Sequence, residues 1–239
     1  MAVNATLGSR ITDIIGSEYA TIPSLSYKDI INASINQVAD MMSDELLMKY
    51  SPSPTGVTSA SGASIEDKKI LQVTRVDANS SGIERKCREL SRVEFASARD
   101  SNSIHYATVF SPVYRVDSMN AASTIVIYPD CNDSGQEGNI WYWPYVLAST
   151  DSTGITTATL NTTLFLPSQA MHAIVLKCCS NLLHAYVSDM IQDEEDSEMA
   201  SLLVAQVTGL NQQFIVEMTR FIDKPSVPGS EEKIKGQGE

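Results

Sequence analysis

The chain holds no run of eighteen apolar residues, so nothing in it reads as a helix that crosses a membrane. Cations are scarce. Its 239 residues carry 17 Lys and Arg against 29 Asp and Glu, a formal net charge of -12. That balance argues against binding nucleic acid by neutralising phosphates, though not against a surface that DNA passes without sticking. The N-terminal MAVNATLGSR lacks the basic-then-apolar order of a signal peptide, so synthesis in a reducing compartment is expected. Cys87, Cys131, Cys178 and Cys179 therefore read as free thiols. The motifs of common chemistry are missing as well: no G-x-S-x-G elbow, no G-x-x-x-x-G-K-[ST] phosphate loop and no H-E-x-x-H. The chain is read as not an enzyme, with no cofactor and no metal.

What the chain does hold is centred on residues 168–222. Met171, Ile174, Val175, Cys178, Leu182, Tyr186 and Met190 recur at steps of three and four, which predicts an amphipathic helix. Met199, Leu202, Leu203, Gln206, Leu210, Phe214, Met218 and Phe221 predict a second, with Gln206 as its one polar break. Pro167 suits the start of the first helix. The acidic turn Asp193-Glu194-Glu195-Asp196 suits the positive N-terminus of the second. Such a hairpin cannot bury both apolar faces alone, so the rest of the chain or other copies must cover them.

Upstream, a short helix capped by Thr6 or Ser9 is expected to end at Gly16. A second, capped by Ser26, is expected to run to about Tyr50 with Ile31, Ile35, Val38, Met42 and Leu46 on one face. Residues 51–64, SPSPTGVTSASGAS, show no apolar period and read as a mobile or draped loop. From Lys68 the period falls towards two. Strands are expected over 70–76, 85–90, 104–109, 113–116, 124–128 and 139–146, with a helical turn over 91–98. Residues 149–163 read as either an edge strand or a long loop. The fold class predicted is α+β, a helical bundle from N- and C-terminal helices with an inserted small antiparallel β domain. Its divisions are 1–66 (N-terminal helices and loop), 67–166 (β), 167–222 (helical hairpin) and 223–239 (extended tail).

Each candidate site has a plainer structural reading. His172 and His184 lie twelve residues apart on one predicted helix, too far to share a metal, and His105 stands alone. Cys178 and Cys179 read as small core residues rather than a metal pair. Asp130, Asn132, Ser134 and Gly135 match the first, third, fifth and sixth positions of a calcium loop, but Trp141 stands where the bidentate Glu belongs. A polar hairpin loop is the better reading. Trp141, Trp143 and Tyr145 share a strand face, and without interleaved basic residues they suit core packing or a subunit contact better than base stacking. Arg85, Lys86 and Arg88 read as a solvated strand edge or ion-pair partners.

Several strings carry a family resemblance. Ser103-Ile104-His105-Tyr106-Ala107-Thr108, then Ser111-Pro112-Val113-Tyr114, then Ile125-Val126-Ile127-Tyr128-Pro129, resemble a run in the neck proteins of tailed bacteriophages. The acidic turn before Glu198-Met199-Ala200 is similar to the EED-x-E-x-A joint between their last two helices. So is the N-terminal order of short helix, linker and a helix rich in Ile, Asn and Asp. The likeness spans about residues 7–221 and rests on structural strings, not catalytic ones.

It implies a virion structural protein of the neck, made in the host cytoplasm. The implied role is a head-to-tail adaptor (connector) forming a homo-oligomeric, dodecameric ring between the portal protein and a tail or head-closure protein. Double-stranded DNA would pass through the bore without specific binding, which suits an acidic chain, and no membrane is involved. The family's docking mode implies that the C-terminal tail contacts the portal, through Asp223, Lys224, Pro225, Val227, Pro228 and Ile234. The competing expectation is a binding module: a tail-tip, fibre-linked or capsid decoration protein whose β part faces outward.

Overall fold

The computed structural model describes residues 5–17, 27–57, 62–77, 82–117, 123–131, 136–192 and 197–222. They form a mixed α and β chain with two small sheets, an α+β protein.

Helix α1 (Leu7–Ile15) begins where the Thr6 hydroxyl accepts from Ser9 N at 3.2 Å. It ends at Gly16, whose φ of 92° favours glycine. Its unpaired first-turn N–H groups donate to the 153–155 loop, Leu7 N to Ile155 O at 2.7 Å and Gly8 N to Thr153 O at 2.9 Å.

Helix α2 (Tyr27–Met41) stops short of the expected end at Tyr50, and Ser26 lies outside the described residues. The break has a physical cause. Ser43 caps a separate α3 (Asp44–Met48), and Lys69 reaches from the sheet to close α2. The Lys69 ammonium donates to the carbonyls of Ala39, Asp40 and Met42 at 3.2–3.3 Å and lies 3.3 Å from Asp44. A cation at free C-terminal carbonyls satisfies them and suits the helix dipole. The buried face of α2 includes Ile31, Ile35 and Val38, with Met42 just beyond its end, as the spacing indicates.

Helix α6 (Met171–Gln192) is surrounded: α1, α2 and α7 (Ser197–Met218) all pack on it. Ala173, Leu176, Cys179 and Leu183 are therefore buried along with the expected Met171, Ile174, Val175, Cys178 and Leu182. On α7 the expected face is corrected. Ala200, Leu203, Val207, Leu210, Phe214 and Met218 turn inward, whereas Met199, Leu202 and Gln206 turn out. The inward stripe is apolar throughout, whereas the outward one mixes Met199, Leu202 and Val216 with Gln206 and Gln213, so the fully apolar stripe packs on α6. The acidic turn 193–196 lies outside the described residues.

Between these helices in sequence lie two four-stranded sheets. The first has the order β1 (Thr55–Val57), β8 (Glu137–Pro144), β3 (Lys68–Asp77), β4 (Ile83–Lys86). The second runs β2 (Ala63–Ser64), β7 (Thr124–Tyr128), β6 (Val113–Asp117), β5 (Arg88–Glu89). Three expectations change here. The 51–64 segment supplies an edge strand to each sheet, because its backbone donors and acceptors pair with β8 and β7. The single strand expected over 85–90 splits at buried Cys87: Cys87 N donates to Val73 O at 2.8 Å and Arg88 N to Pro112 O at 3.0 Å, so the chain crosses between sheets there. The resulting β5–β6 pairing is parallel.

No strand forms over 104–109. That segment is a turn-rich loop with one Thr108–Ser111 bridge, packed on α4 (Arg92–Arg99) through buried Ala107. Helix α4 itself is held by a Ser91/Glu94 capping box. Residues 149–163 are mostly loop, closed by α5 (Leu160–Thr163).

Strands β3 and β8 are the spine of the fold. Their pairing runs from Lys68–Pro144 to Val76–Glu137, with an irregularity at Leu71. At one end Val73 and Ile140 join the core between the sheets. At the other end Leu71, Trp143 and Tyr145 join the helical core. Alternation along β8 accounts for both, since Ile140 and Trp143 point to opposite faces.

Candidate interaction surfaces

Trp143 and Tyr145 of the aromatic strand pack on the helical core, whereas Trp141 and Tyr142 are half-buried. Trp143 is fully buried, donates its indole N–H to Leu164 O at 2.8 Å and meets Tyr145 edge-on at 5.6 Å. Tyr145 donates to Asp40 Oδ1 at 2.9 Å, and burial first, then this bond, pushes its pKa up to about 12. The asparagines of α2 fasten the chain that follows β8. Asn36 exchanges two hydrogen bonds with the Val146 backbone at 2.8 and 3.0 Å, and Asn32 Nδ2 donates to the carbonyls of Leu147 and Thr150. These residues tie sheet to helices.

The metal candidates do not converge. His105, His172 and His184 are all exposed, and no group of three metal-ligating side chains gathers among the described residues. Cys178 and Cys179 lie in the helical core, and burial pushes the Cys179 thiol up to about 12. Of the calcium-like loop, Asn132, Ser134 and Gly135 lie outside the described residues. Beside Asp130 sits the buried Arg75 guanidinium, donating to Pro129 O at 3.0 Å, Asp130 O at 3.3 Å and Gln136 Oε1 at 2.8 Å. A fixed cation holding both ends of the loop opposes a second cation there.

Among the described residues, exposed apolar side chains are most concentrated at two places. One lies around α4. Arg85 is half-buried, 3.9 Å from Asp77 and stacked over Phe110 at 5.0 Å, while Lys86 and Arg88 are exposed, so both expected roles of this cluster occur. A recess of about 250 Å³ opens among Arg88, Leu90, Val93, Glu94, Ser97 and His105. Val93 is exposed at its rim and Ile104, next to His105, is 95% exposed; Phe110, under Arg85, is exposed as well. Within the string Ser103 to Thr108 of the family resemblance, Ile104, His105 and Tyr106 are exposed here and Ala107 is buried.

The other is the exposed surface of α7, where Met199, Leu202 and Val216 stand on one flank and Val204 and Ile215 on the opposite flank. Periodicity reasoning missed this face because it merged two stripes into one. The available signal was charge: residues 199–216 contain no charged side chain in a chain that is 19% charged. The tail residues Asp223, Lys224, Pro225, Val227, Pro228 and Ile234 lie outside the described residues.

No protein-family model matches the chain, and no curated protein matches it. Among the described residues no helix is long and apolar enough to cross a membrane.

Proposed function

We propose that the chain is a virion structural protein, the head-to-tail adaptor of a tailed bacteriophage, and that copies of it form a ring between portal and tail. The helices around α6 act as the bundle of the subunit, and the two sheets as its inserted β element. The observation that carries this reading is the exposure, among the described residues, of apolar side chains on α7 and around α4. A closed ring needs two different surfaces on every subunit, because each copy meets its two neighbours through unlike faces. The neck-protein strings add to it, since Ile104, His105 and Tyr106 lie on one of these surfaces and Met199 on the other. The tail residues Asp223, Lys224, Pro225, Val227, Pro228 and Ile234 are assigned to portal docking on the family resemblance. The surplus of carboxylates suits a bore that DNA slides through.

Native mass spectrometry of the purified protein, alone and mixed with portal, tests this reading. A ring, or a monomer that becomes a ring on the portal, supports it. A stable monomer indifferent to portal refutes it. Removing residues 223–239 should abolish portal binding while the far-UV circular dichroism stays unchanged; undiminished binding would refute the tail assignment.

The second reading, a tail-tip, fibre-linked or decoration module, is favoured by the cation-flanked apolar surface at Val93, Ile104 and Phe110. It predicts that Ile104→Ser/Phe110→Ser abolishes capsid or cell binding and leaves self-assembly intact.

A further inference from the structure

Two arginines stand side by side between the sheets. In the β3–β4 ladder Arg75 lies directly opposite Arg85. Direct cross-strand partners point to the same side of a sheet. Across the other edge of β3, Arg75 pairs with Gly138, where an added Cβ would come within 2.3 Å of Ile127 on β7. That side of the first sheet therefore looks towards the second. Arg75 is 1% exposed and the Arg85 side chain 20%. Phe110, itself largely exposed, packs on the Arg85 guanidinium with 5.0 Å from Cζ to the ring centre, so the Arg85 end of the pair adjoins solvent.

Like charges directly opposite on a sheet repel, and a buried charge is costly unless it is paired. The chain meets this demand only in part. Arg75 donates through Nε to Pro129 O and through Nη2 to Asp130 O and Gln136 Oε1, all neutral acceptors. Arg85 has the Asp77 carboxylate 3.9 Å from its Nη1, an ion pair but beyond hydrogen-bond reach. Asp77 is buried too, and its one negative charge stands against two positive ones. Among the described residues neither Arg75 Nη1 nor Arg85 Nη1 meets a hydrogen-bond acceptor, and both atoms are buried.

We propose that Arg75 and Arg85 form an anion site, which takes a small inorganic oxyanion such as phosphate at their Nη1 groups. Chemistry selects this class. Guanidinium N–H groups make short, charge-assisted hydrogen bonds to oxyanions, and an oxyanion accepts from several sides at once. One negative charge balances what Asp77 leaves over. A metal cation is repelled by the pair, and a neutral ligand leaves the surplus charge buried. The site does not depend on the ring reading.

The test uses the full-length protein at constant ionic strength. Phosphate is the probe, followed by isothermal titration calorimetry and thermal unfolding, with chloride as the screening control. Wild-type protein should bind phosphate, and at a phosphate concentration about a hundred times the dissociation constant its unfolding constant should fall about a hundredfold. Arg75 also holds Pro129, Asp130 and Gln136, so the variants are made at Arg85. Arg85→Gln removes one guanidinium and should weaken phosphate binding about tenfold or more. Arg85→Lys keeps the charge beside Asp77, and with it the fold, but loses the planar fork, so it should weaken binding as well. Arg88→Gln, at an exposed arginine outside the pair, should bind as the wild type does. A wild-type protein that binds no phosphate, equal stabilisation by chloride, or undiminished binding by the Arg85 variants would overturn the site.

Discussion

Trp143 joins the sheet spine to the helical core, and its replacement by phenylalanine measures that joint. The indole is fully buried and its N–H is bonded to the Leu164 carbonyl at 2.8 Å. Phenylalanine removes the donor and strands a carbonyl, at about 1–3 kcal/mol. The smaller ring also gives up roughly 50 Å² of buried apolar surface, about 1 kcal/mol at 25 cal/mol per Å². Trp143→Phe should therefore destabilise the protein by about 2–4 kcal/mol, a large part of the roughly 5–15 kcal/mol of a typical fold. Trp141 supplies the control. It is half-buried, and its N–H lies 3.4 Å from Glu84 Oε1, so Trp141→Phe should cost less than about 1 kcal/mol. The chain has only these two tryptophans, so each variant keeps one fluorescence reporter for urea unfolding beside circular dichroism. Equal losses in the two variants, or a loss below about 0.5 kcal/mol for Trp143→Phe, would refute the idea that this indole locks sheet to helices.

Two further predictions concern stability. Lys69→Met removes the cation from the carbonyls of Ala39, Asp40 and Met42 and should lower urea stability by about 1–3 kcal/mol; an unchanged midpoint would show that α2 ends without it. Burial pushes the thiols of Cys87 and Cys179 up to about 12, against about 8.5 for an exposed cysteine. Above that lower value the folded state holds protons that the unfolded state has lost, so stability should be flat to about pH 8.5 and fall from there towards about pH 12. A Cys87→Ala/Cys179→Ala variant should show a shallower fall. The same slope in both proteins would assign the loss to other groups, such as Tyr145.

Local signals carried much of the fold. Thr6 and Gly16 bounded α1, and Ile31, Ile35 and Val38 marked a face of α2, because capping and helical period act over a few residues. The failures share one cause, a partner distant in sequence. The carbonyls at the early end of α2 are met by Lys69, from the sheet. Pairing 55–57 and 63–64 as strands required β8 and β7, and their own composition reads only as loop. The string around Ile104 alternates like a strand, yet the neighbouring positions on β6 are taken by β5 and β7, and the loop folds on α4 instead. The interaction surfaces were half legible: the basic cluster 85–88 was visible in sequence, but the exposure of Val93, Ile104 and Phe110 beside it was not.

Composition and periodicity by themselves determined an acidic α+β chain with two long C-terminal helices, since charge, length and repeat are properties of the string. Tertiary structure alone decided which side of α7 faces out. Apolar residues occur on both of its sides, and such a helix is turned by what it packs against. Packing on α6 buries Leu203, Val207, Leu210 and Phe214, and so leaves Met199, Leu202 and Val216 outside the helical core.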